Sequence, residues 1–213
     1  MRYYIADCHF FHEALNREMD HRGFASVEEM NEYMINRWNE KVRNRDEVVI
    51  LGDLSMGNAE QTNALLDRLQ GKLFLIVGNH DNRYLRSKIF HKERFGWIYP
   101  YAELHDDGRK VVLSHYPIAC YNGQYLKNKK GEPRTYMLYG HVHDSHDERL
   151  IEQYQQMVEK TRIPDRDGGT QALSSHMINC FCMYSDYQPL SLDEWIALTK
   201  QRLIRCQNVE DSL

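Results

Sequence analysis

The chain has 213 residues, of which 42% are hydrophobic and 27% are charged, and its formal net charge is -4. This length suffices for one domain with a substantial core, and we expect a single domain over residues 1–213. The negative net charge argues against non-specific nucleic-acid binding, and the lack of any apolar run near ~18 residues predicts no membrane span or membrane partner.

The first predicted strand ends in residues that can bind metal. The apolar segment Tyr3 to Ala6 is followed by Asp7 and, two residues on, by His9. In extended backbone this spacing puts both side chains on one face, so both can reach one ion. Two interpretations of His12 stay open at this point, namely a contact with substrate phosphate and an ordinary surface or capping histidine.

The next predicted element is a helix. Ser26 to Glu29 reads as a capping box, and Met30, Met34 and Trp38 follow at steps of four. Apolar residues at this spacing form one face, so we expect the helix to pack on the core.

Two further apolar segments then end in polar residues. The segments and the residues that follow them are Val48–Leu51 with Gly52 and Asp53, and Leu73–Val77 with Gly78, Asn79, His80 and Asp81. Gly78 permits a sharp turn at the strand end. The polar residues are thereby delivered to the carboxyl edge of the sheet, where the ligand sites of open α/β sheets gather.

The second half of the chain repeats this pattern. An Asp-Gly turn predicts a hairpin between strands at about 99–104 and 110–114, and the latter ends in His115. A strand at about 137–139 ends in Gly140, His141 and His143.

Strands that alternate with amphipathic helices indicate the α/β class. Carboxylate, imidazole and amide ligands together suit Mn, Fe or Zn.

The ordered motifs D-x-H, G-D, G-N-H-D, H and G-H-x-H resemble those of the calcineurin-like metallophosphoesterase family, and they extend from Asp7 to His143. The opening D-x-H-F-x-H is similar to that of small prokaryotic and phage members. The resemblance implies a four-layer α/β sandwich, in which two β-sheets pack face to face with helices outside. Residues 144–176 depart from the shortest pattern of that family, so we expect them to be an insertion or cap segment. Their composition predicts a helix at about 147–160 and a loop over 163–175.

The resemblance further implies a site for two divalent metal ions. We expect Mn, with Fe, Zn, Ni and Mg as alternatives. The implied ligands of one ion are Asp7, His9, Asp53 and His143, and those of the other are Asp53, Asn79, His115 and His141. His80 is then free to protonate the leaving oxygen, and Asp81 is expected to orient His80 by accepting its other ring proton.

These expectations define a phosphoesterase that uses a metal-activated hydroxide on a small phosphorylated substrate. We favour a phosphodiester or nucleotide substrate, and a phosphomonoesterase remains the alternative within hydrolases. A non-catalytic binding scaffold on the same fold is the alternative from another class.

The expected compartment is the cytoplasm. Five cysteines, an odd number without a regular framework, indicate a reducing environment. A cleaved leader would also remove Asp7, which lies very close to Met1.

Overall fold

The computed structural model of the protein describes residues 1–164 and 168–210. The helices are α1 (Val27–Lys41), α2 (Ala59–Arg68), α3 (Asn82–Leu85), α4 (His146–Lys160) and α5 (Leu192–Glu210). The strands are β1 (Arg2–Ile5), β2 (Glu47–Ile50), β3 (Lys72–Ile76), β4 (Phe95–Tyr99), β5 (Tyr101–Asp106), β6 (Arg109–Ser114), β7 (Thr135–Tyr139), β8 (Arg162–Pro164), β9 (Thr170–Ala172) and β10 (Met177–Asn179).

The strands form two four-stranded sheets and one small hairpin. The first sheet has the order β1-β2-β3-β4 and is parallel throughout. The second has the order β10-β7-β6-β5 and is parallel except for the β5–β6 pair. The hairpin is β8–β9.

The apolar runs of the strands reflect burial on both faces. In β2, Val49 belongs to the core between the two sheets, whereas Val48 and Ile50 face the outer core beneath α1 and α2. In β6, Val112 belongs to a third core beneath α4. Because neighbouring strand residues point to opposite faces, only a continuous apolar run can fill both cores. This architecture confirms the predicted sandwich of two sheets with helices outside.

The packing of the sheets brings their carboxyl edges together. The amide of His141, after β7 of the second sheet, donates to the carboxylate of Asp7, after β1 of the first sheet, at 3.0 Å to Oδ1 and 2.9 Å to Oδ2. A parallel bridge between Ala6 and Phe181 joins the two sheets at this edge. The residues that follow β1, β2, β3, β6 and β7 therefore surround one cleft.

Two parts of the fold differ in detail from the sequence-based expectation. The strand expected at about 99–104 is β5 of the second sheet, which begins after Pro100, and β4 of the first sheet, which ends before Pro100, was not predicted. The loop expected over 163–175 contains most of the β8–β9 hairpin, and residues 165–167 of that loop lie outside the described residues. None of the helices in the described ranges has the length and apolar character needed to span a bilayer.

Candidate metal centre

The strand ends that meet at the cleft have an unusual backbone conformation. The φ angles of Asp7, His9, Asp53, His141 and His143 are 55°, 48°, 53°, 71° and 50°. Left-handed backbone at residues other than glycine costs of order 1–3 kcal/mol each and concentrates at functional sites. The fold thus holds five of the seven predicted metal ligands in a costly conformation that turns their side chains towards each other.

Two motif glycines are in close contact with these ligands. A Cβ atom on Gly78 would lie 2.2 Å from Oδ1 of Asp53, and one on Gly140 would lie 2.5 Å from Oδ2 of Asp7. Non-bonded heavy atoms do not approach this closely, so both positions require glycine for packing reasons.

The first group of ligands comes from β1, β2 and β7. Nε2 of His9 lies 3.2 Å from Nε2 of His143 and 3.5 Å from Oδ2 of Asp53. Oδ1 of Asp7 lies 3.8 Å from Nε2 of His143. Asp7, His9 and His143 each offer one ligand atom, and these atoms lie within 4.8 Å of one another.

The second group comes from the ends of β2, β3, β6 and β7. Oδ1 of Asn79 lies 2.9 Å from Nε2 of His115 and 3.0 Å from Nδ1 of His141. Nε2 of His115 also lies 3.5 Å from Oδ2 of Asp53. One oxygen of Asp53 is therefore equally close to His9 in the first group and to His115 in the second. The ligand atoms of Asp7, Asp53 and His115 likewise lie within 4.8 Å of one another.

Hydrogen bonds to the far side of two imidazole rings fix which nitrogen faces the cleft. Nδ1 of His115 donates to the carbonyl of Leu51 at 2.8 Å, and Nδ1 of His143 donates to Oδ1 of Asp20 at 2.8 Å. Each ring therefore presents Nε2 to the site, as metal-binding histidines do. The residues present thus fit a divalent cation, because buried imidazole nitrogens and carboxylate oxygens converge on one cleft with their ligand atoms within 4.8 Å of one another.

Burial and mutual charge shift the pKa values within the centre. Burial raises the pKa of Asp7 to about 6. For Asp53, burial is outweighed by the hydrogen bond and charge of His115, which lower the pKa of Asp53 to about 2. In turn, burial of His115 is outweighed by Asp53 and Asp7, and the pKa of His115 is raised to about 9. In the metal-free protein, His115 therefore carries a proton at neutral pH.

This protonation makes metal uptake pH-dependent. An ion that binds Nε2 of His115 must displace the proton on that nitrogen. Because the ring stays mostly protonated up to its raised pKa of about 9, the metal affinity should rise by up to about tenfold per pH unit between pH 7 and pH 9. Calorimetric titration with Mn²⁺ in two buffers of different ionisation enthalpy should show proton release. His115→Asn should lower the number of protons released, and an unchanged wild-type affinity over this pH range would contradict the assignment.

His12 and His80 lie at the rim of the centre. Their rings are 5.6 Å and 5.5 Å from the ring of His9. Nδ1 of His12 accepts a hydrogen bond from the amide of Leu15, so this nitrogen caps a turn. The amide of His80 donates to Oδ1 of Asp53 at 2.9 Å, and its ring is exposed to the cleft, with 43% of the side chain accessible.

Asp81 has different partners from those expected. In the described part of the chain its carboxylate makes no hydrogen bond to His80, so the expectation that it orients that ring is wrong in this structure. Asp81 is fully buried. The carboxylate accepts four hydrogen bonds, from the amides of Asp53, Leu54 and Gly78 and from the hydroxyl of Tyr84. Asp81 therefore fixes the backbone turn that carries Asp53.

Asp20 was not expected at the site. It lies outside the strand-end motifs, yet its carboxylate accepts the Nδ1 proton of His143. The sequence offers only a weak signal for it, an acidic and a basic residue two apart, Asp20 and Arg22, in the segment after the D-x-H motif.

Comparisons with known proteins give a family match, a sequence relative and a fold match. The family model described as calcineurin-like phosphoesterase matches residues 3–194. An uncharacterized protein of Methanocaldococcus jannaschii is 30% identical over 209 residues, which covers 97% of this chain and 96% of that protein. The crystal structure of a protein of unknown function from Aquifex aeolicus has a TM-score of 0.63 and 22% identity, and the match covers 93% of this chain and 98% of that one. The structural match shows the fold alone.

Proposed function

Because the chain belongs to the calcineurin-like phosphoesterase family, we propose that it hydrolyses a phosphodiester bond in a small substrate such as a nucleotide, using two divalent ions, with Mn as the favoured metal. Family membership makes the protein a metal-dependent phosphoesterase, and its candidate ligand groups support divalent metal binding. The observation that carries the dinuclear proposal is the position of Asp53, whose Oδ2 lies 3.5 Å from a ring nitrogen of His9 and 3.5 Å from one of His115.

In this proposal the two ligand groups hold one ion each and share Asp53. The first group is Asp7, His9, Asp53 and His143, and the second is Asp53, Asn79, His115 and His141. The nitrogen of His115 that approaches Asp7 is Nδ1, at 3.9 Å, and this nitrogen already donates to Leu51. That geometry supports Asp53 as the shared ligand. When bound, divalent ions make water acidic enough to supply a nucleophile near neutral pH and neutralise charge on the phosphate.

The residues of the chain also support a role for His80 and His12. His80 is anchored through its backbone amide to Asp53, while its ring is exposed at the rim. A ring so placed can reach the leaving oxygen of a bound ester and donate a proton to it. His12 offers its other ring nitrogen, Nε2, as a phosphate contact, because Nδ1 accepts from Leu15.

The preference for a diester follows from charge. A phosphomonoester carries nearly two negative charges at neutral pH, since its second pKa is about 6, whereas a diester carries one. The strand-end motifs contain no lysine or arginine that could bind the additional charge. Hydrolysis of bis(nitrophenyl) phosphate and nitrophenyl phosphate by the Mn-loaded protein tests this directly. A higher kcat/KM for the monoester would contradict the diesterase proposal and leave the phosphomonoesterase alternative.

Leaving-group dependence tests the role of His80. Nitrophenolate departs without a proton, whereas an alkoxide such as a ribose oxygen needs one, and general acids contribute typically ~10²–10⁴-fold. His80→Asn should therefore have little effect on a nitrophenyl ester and lower kcat by about a hundredfold or more on a nucleotide diester. Metal content should be unchanged, and His91→Asn at an exposed position outside the site serves as the control. Equal losses on both esters would show that His80 binds phosphate instead.

We also propose that the whole chain is one domain in which residues 144–176 govern substrate access. The start of this segment supports the proposal, because Glu148 of α4 accepts from Asn179, which in turn donates to the carbonyl of His143. The cytoplasm is the proposed compartment. Cys8, Cys120, Cys180 and Cys182 are free, as a reducing environment allows.

A further inference from the structure

Asp20 and Arg22 form a buried ion pair behind the first group of ligands. Oδ2 of Asp20 accepts from Nε of Arg22 at 3.1 Å and from Nη2 at 2.9 Å. The exposed fractions of the two side chains are 8% and 0%. The other carboxylate oxygen, Oδ1, accepts from Nδ1 of His143 at 2.8 Å. Asp20 thus connects a metal-ligand candidate on β7 to a buried cation.

Arg22 also contacts the ligand turn that follows β1. Its Nη1 donates to the carbonyl of Cys8 at 2.7 Å, and its Nη2 donates to the carbonyl of Asp7 at 3.1 Å. These carbonyls belong to the D-x-H turn, in which Asp7 and His9 both have positive φ angles. Hydrogen bonds from a charged donor are among the stronger ones, so they stabilise a turn that is intrinsically costly.

We propose that Asp20 and Arg22 are positioning residues that hold the D-x-H turn and the His143 ring in one arrangement and thereby set the affinity of the first ion. The inference rests on the proposed function, because it requires that the first group binds a metal. A carboxylate on the far side of a metal-binding histidine fixes its tautomer and orientation, and loss of such a partner typically costs about 10–100-fold in metal affinity. Among the described residues, the brace formed by Asp20 and Arg22 makes no direct hydrogen bond to a side chain of the second group, where His115 is held by Leu51 instead.

If the brace positions the first group alone, replacing Asp20 should weaken the binding of only one of the two ions. Asp20→Ala should weaken one of the two Mn²⁺ binding steps by about 10–100-fold and leave the other within about twofold of wild type. Asp20→Asn should fall between wild type and Asp20→Ala, because an amide oxygen still accepts from His143 but carries no charge for Arg22. Glu32→Ala is a matched control, since it removes an exposed carboxylate that pairs with Arg68 and belongs neither to the brace nor to either ligand group.

Calorimetric titration of the metal-free proteins gives both affinities, and electron paramagnetic resonance distinguishes a coupled Mn pair from a single Mn. At a Mn²⁺ concentration that fills both wild-type sites, Asp20→Ala should lose the coupled signal and retain a mononuclear one. His141→Asn disrupts the other group, so the double variant Asp20→Ala/His141→Asn should bind neither ion tightly. Circular dichroism of each metal-free variant verifies the fold, and Asp20→Asn provides the test if Asp20→Ala does not fold.

Several outcomes would overturn the inference. If Asp20→Ala and Asp20→Asn bind both ions as wild type does, or if both steps weaken equally, Asp20 does not position the first group. If wild type binds both ions but Asp20→Ala/His141→Asn still binds one tightly, the assignment to the first group is wrong. Wild-type protein that binds no ion would overturn the proposed function and the brace together, whereas normal wild-type binding with unaltered Asp20 variants would overturn the brace alone.

Discussion

Asp53→Asn should lower kcat/KM for every phosphate ester by about a thousandfold or more, which corresponds to about 4 kcal/mol of transition-state stabilisation. The reason is the position of Oδ2, which lies 3.5 Å from Nε2 of His9 and 3.5 Å from Nε2 of His115. An amide at this position can present only one neutral oxygen between the two groups, so both ions should bind more weakly. This is the largest effect we expect from any single ligand, because the other six predicted ligands each serve one group.

Steady-state rates and metal content of Asp53→Asn test this expectation, with Asp67→Asn as the control. Asp67 is exposed on α2, and its substitution removes the same charge far from the strand-end motifs. The effect of Asp53→Asn should be similar for monoester and diester substrates, since both ions are needed whatever the leaving group is. Activity within tenfold of wild type with both ions retained would exclude Asp53 as the shared ligand.

Gly78→Ala should cause the second largest effect, although it adds a single methyl group. The added Cβ would lie 2.2 Å from Oδ1 and 2.5 Å from the amide nitrogen of Asp53. Because Asp81 fixes both turns through hydrogen bonds to their amides, neither backbone can move aside easily. We expect a loss of activity of at least about a hundredfold and a fall in the free energy of unfolding of about 1–3 kcal/mol, as in other overpacked sites.

Gly131→Ala is the informative comparison for Gly78→Ala. Gly131 has a φ of 81° and no atom near its would-be Cβ, so the substitution adds backbone strain without a steric clash. It should lower the free energy of unfolding by only about 1–2 kcal/mol and leave activity unchanged. Denaturant unfolding and kcat/KM for both variants separate the two causes. If Gly78→Ala retains wild-type activity, the close packing against Asp53 is not required.

The positions of the candidate ligands at the strand ends could be predicted from sequence because each follows an apolar run. A strand buried on both faces must be apolar throughout, so a residue such as Asp53 directly after Val48–Leu51 marks the point where the chain leaves the core. Parallel strands then bring these points to a common edge. The helix α1 is predicted by a different signal, a Ser26–Glu29 capping box. Ser26 accepts from the amide of Glu29 as predicted, but the Glu29 carboxylate accepts from the amide of Ala25 instead of Ser26.

The remaining features depend on contacts that a local pattern does not encode. The hydrogen bond between Asp20 and His143 joins residues 123 positions apart. His80 and Asp81 are adjacent in sequence, but the side chain of Asp81 points to buried backbone amides, whereas the ring of His80 lies at the rim of the cleft with Nε2 4.0 Å from Oδ2 of Asp53. The β9 strand is exposed at each of its three residues, so no alternation of burial marks it in the sequence.

The metal content of the protein tests the central claim, a dinuclear centre built from seven strand-end residues. Protein loaded with Mn²⁺ and freed of excess metal should contain two ions per chain by elemental analysis, and a chelator should remove both ions together with phosphodiesterase activity. Addition of Mn²⁺ should then restore both. Fewer than one bound ion per chain, with activity that the chelator does not change, would contradict the account.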